Sequence, residues 1–199
     1  MNGEYSFFIF PTDDGFFPRL DPNIRLGVGM AFQTRDRASG DRFLQALNDW
    51  IAVESGGIVN VVETRVDGRP ATSWEFYGPD EKVSSQVAFA WTNDNTLMIT
   101  TGTAPLGELL SPAAPLGQSE LFQSAIAPLP KPNVGYFFLN IESLIPFLLE
   151  IFPPMDPLEV QQFREFSEIF RGISSTATVE PTFEQSDAFL LMSPERSAP

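Results

Sequence analysis

Apolar and polar residues alternate in several stretches of this chain, and each such stretch predicts a β-strand. In IRLGVGMAFQT, every second residue is large and apolar: Ile24, Leu26, Val28, Met30 and Phe32. A period of two is typical of a strand with one buried face. A shorter apolar run predicts another strand over residues 5–10.

Residues 58–102 predict a four-stranded meander. Asp67-Gly68 stands between two alternating runs and is a strong hairpin signal. Asn93-Asp94-Asn95 marks a second turn, and tight turns require adjacent strands to be antiparallel. Further strands are predicted over residues 134–139, 175–180 and 183–192, the first of them buried.

Helical periodicity marks the segments between these strands. Ser39 is predicted to cap a helix that ends near Glu54, with a buried face of five residues, Phe43, Leu44, Leu47, Trp50 and Ile51. Trp50 is interpreted as a core contact. Two short helices are predicted, one over residues 106–110 and one that Ser119 caps and that ends at Ala125.

The most apolar stretch, NVGYFFLNIESLIPFLLEIFPPMDP, covers residues 133–157. A membrane-spanning helix needs roughly twenty apolar residues with few charges. Glu142, Glu150 and several prolines interrupt this stretch, so it predicts a strand, a turn and a helix over 143–152 capped by Ser143 or Asn140. Pro146 would then lie in the first helical turn.

A last helix is predicted over residues 156–171, with Asp156 as its cap and Gly172 at its end. Its apolar stripe includes three phenylalanines, Phe163, Phe166 and Phe170. Core packing is the ordinary role of such a stripe. The alternative is an exposed partner-binding face, and these three residues are the candidates for it.

Together these elements indicate an α+β fold. We expect an antiparallel sheet, built as a meander, with its apolar face covered by the helices near 41–54, 143–152 and 156–171. The length of 199 residues fits a single domain over 1–192, followed by a disordered tail over 193–199.

Composition narrows the possible functions. The chain has 12 basic and 26 acidic residues, a net charge of -14, and no cluster of Lys and Arg, so a nucleic-acid partner is not expected. It contains no His and no Cys, which removes histidine-based catalysis and thiolate metal sites. No catalytic residue, cofactor or metal site is predicted, because Gly27-x-Gly29 and the acidic turns complete no binding motif.

Three functions stay open on this basis. The first is a non-enzymatic binding or assembly module that acts through protein contacts, which the 19 phenylalanines favour. The second is a carrier of an apolar small molecule, such as a lipid or pigment, held between sheet and helices. The third is a hydrolase that uses two facing carboxylates.

Three segments resemble domain-of-unknown-function family 3352, a largely cyanobacterial family. The main one is QSELFQSAIAPLPKPNVGYFFLNIESLIPFL, which matches the family pattern at Ser119, Phe122, Leu129, Pro130, Pro132, Gly135, Tyr136, Phe138 and Asn140. LGVGMAFQTRDRASGDRFLQALNDW is similar to the strand, charged turn and helix of the family. WTNDNTLMITTGTAPLGELL is similar to its hairpin and short helix.

The resemblance implies no activity, because the family is uncharacterised. It implies a longer parent protein with an N-terminal hydrophobic segment and an extracytoplasmic location, in the periplasm or thylakoid lumen. Any membrane anchoring is therefore expected only through a segment that this chain does not contain.

Overall fold

The structure is a computed structural model that describes residues 4–77, 83–151 and 156–193. The chain divides into two compact units, Met1–Ala113 and Ala114–Pro199, which are described separately. The single domain over 1–192 stays a prediction. Of the predicted tail, only Ser193 lies within the described residues, and its backbone N–H donates to the Ile169 carbonyl at 2.8 Å.

The first unit is built on a six-stranded antiparallel sheet with the order β1-β2-β6-β5-β4-β3. Its elements are β1 (Tyr5–Pro11), α1 (Phe16–Leu20), β2 (Leu26–Gln33), α2 (Arg37–Glu54), β3 (Val59–Val66), β4 (Arg69–Tyr77), β5 (Val83–Trp91), β6 (Thr96–Thr100) and α3 (Thr103–Leu110). The predicted meander is β3 to β6. Its first hairpin turns at Asp67 and Gly68, whose positive φ angles of 51° and 77° suit the tight twisted turn of a hairpin.

Helices cover both faces of this sheet, whereas we expected them on one face. On one face, Leu44 of α2 packs with Phe89 and Leu97. On the other, Leu106 of α3 is fully buried in a cluster with small residues, among them Ala88 and Ala90. Alternation along β5 explains this arrangement, because its small side chains leave room for a second helix close to the sheet.

The predicted start and buried face of α2 are wrong in part. The helix begins at Arg37 with Asp36 at the N-cap, and Ser39 lies inside the first turn, where its hydroxyl bonds to the Asp36 carboxylate. Trp50 is 57% exposed and Phe43 is also exposed, so neither is a core residue. The face turned to the sheet is centred on Leu44 because polar side chains of α2 bond to the sheet there.

The second unit has a three-stranded antiparallel sheet with the order β7-β8-β9. A 3-10 helix (Leu116–Gln118) leads into its elements, which are α4 (Glu120–Ile126), β7 (Tyr136–Asn140), α5 (Ile141–Ile151), α6 (Pro157–Ile169), β8 (Phe170–Glu180) and β9 (Phe183–Met192). The α+β class with an antiparallel meander is confirmed. The strands form two sheets, however, and α5 and α6 contact β8 of the smaller one.

Two helix caps of this unit agree with the sequence. The Ser119 hydroxyl accepts from the backbone N–H of Phe122 at 3.3 Å, and the Asp156 carboxylate accepts from Leu158 at 2.8 Å. For α5 the cap is Asn140, whose side-chain oxygen accepts from the N–H of Ser143 at 3.1 Å. Since α5 begins at Ile141, Pro146 lies beyond its first turn.

Two further predictions for this unit are wrong. Phe170 does not lie on the last helix, because α6 ends at Ile169 and Phe170 already pairs with Met192 in the β8–β9 ladder. The strand β7 is not fully buried either, since Tyr136 and Phe137 are both exposed. Aromatic runs fit both a helix stripe and a strand, so tertiary pairing decides between them.

The Gly102→Ala substitution is expected to destabilise the first unit by roughly 1–3 kcal/mol. Gly102 caps α3 with a φ of +122°, and a Cβ there would lie 3.0 Å from the Ser85 carbonyl oxygen. Urea unfolding of the full chain, followed by circular dichroism, measures the loss. Gly117→Ala is the matched control, because a Cβ at Gly117 meets nothing within 4 Å. Equal midpoints for the two variants would contradict the expected strain.

Candidate functional site

The three candidate phenylalanines lie at the carboxyl-terminal half of α6 and the start of β8. Phe163 is 39% exposed and Phe166 is 45% exposed, whereas Phe170 is half-buried. The rings of Phe166 and Phe170 lie against each other, with centroids 4.5 Å apart. The structure therefore brings Phe166 and Phe170 into contact, and it leaves Phe163 and Phe166, three residues apart on α6, accessible to solvent.

Helix α6 buries none of its residues completely. Besides Phe163 and Phe166, it leaves Leu158 and Ile169 exposed. We call these four residues the α6 surface. Acidic residues of the same helix stand among them, at Glu159, Glu165 and Glu168. The α6 surface therefore combines apolar contact area with negative charge.

A second apolar surface lies on the first unit, and the sequence did not indicate it. Tyr5, Phe7, Ile9 and Phe32 are exposed, and the register of β1 and β2 places them on one face of the sheet. We call these four residues the β1 surface. Both faces of β1 are largely apolar in sequence, so periodicity alone could not show which face stays open.

An open groove of about 590 Å³ runs beside α2. Its lining is mixed, with polar side chains such as Asp41, Asn48 and Glu63 beside apolar ones such as Leu44 and Phe89. An open groove with a mixed lining is not the enclosed apolar cavity that a lipid or pigment requires.

Some of these polar groups hold α2 on the sheet. The indole N–H of Trp91 donates to the Asp41 carboxylate at 2.8 Å, and that of Trp74 donates to the Asn48 side chain at 2.8 Å. The guanidinium of Arg37 lies 5.1 Å from the centre of the Trp91 ring, within the range of a cation–π contact. The bonds to Asp41 and Asn48 therefore have a structural role.

The shifted pKa values of the described residues belong to ion pairs and hydrogen bonds outside this groove. The pKa of Asp14 is lowered, first by its hydrogen bond with Arg19, whose Nε lies 2.8 Å from Oδ1. The hydroxyl of Ser39 lowers the pKa of Asp36. The carboxylate of Glu142 raises the pKa of Arg171. Each shift favours the charged form of a surface group, which is not the tuning that a general acid or base near neutral pH requires.

Within residues 4–77, 83–151 and 156–193, no group of three acidic side chains is placed to hold a metal ion. In the same part of the chain, each helix is too short or too polar to cross a membrane.

Comparison with known proteins assigns the chain to a class. A family model of proteins of unknown function, DUF3352, matches residues 1–192, so the chain belongs to that family. The predicted resemblance is thereby confirmed.

One solved structure with some likeness is a protein of unknown function, PA94 from Pseudomonas aeruginosa. The sequences are 11% identical, the match covers 66% of this chain and 86% of that one, and the TM-score is 0.26. A likeness this low does not establish a shared fold. No curated protein matches the chain.

The Asp14→Asn substitution is expected to lower stability by less than about 1 kcal/mol at neutral pH, because both Asp14 and Arg19 are about half exposed and solvent screens the pair. The lowered pKa of folded Asp14 means that this contribution is present above the ordinary Asp pKa. It is lost as the pH falls through the lowered value. Urea midpoints measured from neutral to acid pH should therefore converge for the variant and the native chain.

Arg19→Gln alone and together with Asp14→Asn completes a double-mutant cycle. If the ion pair is the cause, Asp14→Asn has little further effect once Arg19 is replaced. A loss of stability that persists at acid pH would contradict this explanation.

Proposed function

We propose that this chain is a non-enzymatic binding or assembly module that acts through contacts with other proteins. The observation that carries the proposal is the α6 surface, a helix face with several large apolar side chains open to solvent. Grouped exposed apolar residues are costly for a protein that functions alone, and they commonly mark interaction sites.

The geometry of α6 favours a partner with a groove. Phe163 and Phe166 are three residues apart on a helix, the spacing of anchors in helix-in-groove recognition. The acids at Glu159, Glu165 and Glu168 favour a groove with a basic rim. The net charge of -14 acts in the same direction at longer range, and it disfavours nucleic acid.

The family resemblance adds a location to the proposal. We propose that the module acts outside the cytoplasm, in the periplasm or thylakoid lumen.

The groove beside α2 does not favour the two alternatives. Its open form and the polar side chains in its mixed lining argue against a carrier of lipid or pigment. A carboxylate hydrolase uses two facing acids. Of the two acids that line the groove, Asp41 accepts from Trp91 and lies 3.7 Å from the Arg37 guanidinium, which leaves only Glu63. The protein-contact function is therefore the better supported of the three.

A photoreactive phenylalanine analogue at position 166 tests the proposal in cells of the native host. We expect a discrete, reproducible adduct with one protein, because a partner groove would enclose this side chain. Phe163→Glu in the same chain should weaken that adduct by about tenfold, since anchor residues dominate such interfaces.

The same analogue at position 183 is the matched control, because Phe183 is also an exposed phenylalanine of the second unit. Equal labelling from both positions, or no adduct from position 166, would count against the α6 surface as a binding site.

A further inference from the structure

Strand β1 is an open edge of the six-stranded sheet. It pairs with β2 on one side, over seven consecutive residue pairs from Tyr5↔Phe32 to Pro11↔Leu26. In the part of the chain that the structure describes, no strand pairs with its other side. An edge strand offers a row of backbone N–H and C=O groups to any strand that can lie beside it.

The hydrogen bonds at the two ends of the ladder show which residues of β1 face this open side. The N–H of Gln33 donates to the Glu4 carbonyl at 2.8 Å, and the N–H of Thr12 donates to the Arg25 carbonyl at 3.0 Å. Bonded residues alternate along an antiparallel ladder, so the even-numbered residues of β1 bond to β2. The odd-numbered residues Tyr5, Phe7 and Ile9 therefore direct both backbone groups outward.

The same three residues carry exposed apolar side chains. Tyr5 is 76%, Phe7 is 56% and Ile9 is 61% exposed. Protein edges are usually protected by charged residues, bulges or an interior proline. The sequence from Tyr5 to Pro11 contains no charged residue, the register with β2 has no bulge, and the proline stands at the very end.

We propose that β1 pairs antiparallel with β1 of a second copy of this chain, with Phe7 opposite Phe7 of the second copy. This inference deepens the proposed assembly function and rests on it, because it names one protein partner and a surface other than the α6 surface.

The donor and acceptor pattern of β1 is self-complementary in this register. Tyr5 lies opposite Ile9 of the second copy, and Ile9 lies opposite Tyr5, so each outward residue meets an outward residue. The side chains of Tyr5, Phe7 and Ile9 from both copies then form one apolar cluster on a continuous sheet. Glu4 falls opposite Phe10, so no like charges oppose each other across the pair.

Neighbouring registers are poorer. A shift by one residue sets outward groups against inward groups and removes the ladder bonds. A shift by two in one direction places Pro11 opposite Tyr5, and Pro11 has no N–H to donate. A shift by two in the other direction places Ile9 opposite residue 3, which lies before the start of β1. The register centred on Phe7 is thus the one that uses every outward group of Tyr5, Phe7 and Ile9.

The charge of the chain gives this dimer a characteristic salt dependence. Two copies, each with a net charge of -14, repel at long range, and salt screens that repulsion. We therefore expect association to strengthen as NaCl is raised from roughly 50 mM to roughly 500 mM. Binding of a basic partner to the α6 surface would weaken over the same range.

Sedimentation equilibrium of the full chain, measured over concentration and salt, tests the proposal. We expect a reversible monomer–dimer equilibrium. Phe7→Lys and Phe7→Glu should each raise the dissociation constant by about tenfold or more, because each sets two like charges opposite each other and removes two apolar contacts. Mixing the two variants should restore association in part, because opposite charges then face each other at the centre of the ladder.

Phe183→Lys is the matched control, since it removes a similarly exposed phenylalanine from the second unit and should leave the dimer unchanged. Phe7→Thr keeps strand propensity and should weaken the dimer without adding charge. Circular dichroism melts establish that each variant is folded.

Two results would overturn the proposal. One is a native chain that stays monomeric at all concentrations and salts. The other is a dimer that persists in both Phe7 charge variants. A mixture of the two variants whose dissociation constant is no lower than that of either variant alone would count in the same way. Neither result affects the cross-linking test at position 166. An absent adduct there, with the β1 dimer intact, would instead overturn only the α6 partner.

Discussion

The arrangement of the first unit depends on how β5 distributes side-chain volume between the two faces of its sheet. Phe89 projects to one face, and Ala88 and Ala90 project to the other. The large face packs against Leu44 of α2, while the small face allows α3 to approach closely enough to bury Leu106 completely. A sheet whose centre is covered on both faces in this way needs no further layer there.

The same coverage explains why apolar residues stay open at the β1 end of the sheet. The clusters beneath α2 and α3 are centred on the inner strands, with Leu97 and Met98 of β6 among their members. Tyr5 and Phe7 of β1 lie on the same face of the sheet as the cluster beneath α2. They lie outside that cluster, however, and their side chains are exposed. The β1 surface is therefore a consequence of where the helices lie.

Local chemistry could be predicted from the sequence because neighbouring residues determine it. The hairpin turn at Asp67-Gly68 requires positive φ angles that few other residue pairs adopt. The side chains of Ser119 and Asp156 accept from backbone N–H groups two or three residues away. The meander and the starts of α4 and α6 were therefore predicted correctly.

The exposure of Trp50 could not be predicted in the same way. It lies on the apolar side of α2 by periodicity, but the helix is rotated so that Asn48 reaches the indole of Trp74 and Asp41 reaches that of Trp91. Polar bonds to distant residues thus set the orientation of a helix whose sequence reads as simply amphipathic. The α6 and β1 surfaces were hard to predict for the same reason, because the exposure of a side chain depends on which distant residues pack against it. Under the proposed function, the negative charge of the chain would select partners before contact, since it attracts basic grooves and repels nucleic acids. A like-charged copy would associate only where an uncharged edge, such as Tyr5 to Pro11 in the proposed dimer, lets the two backbones meet.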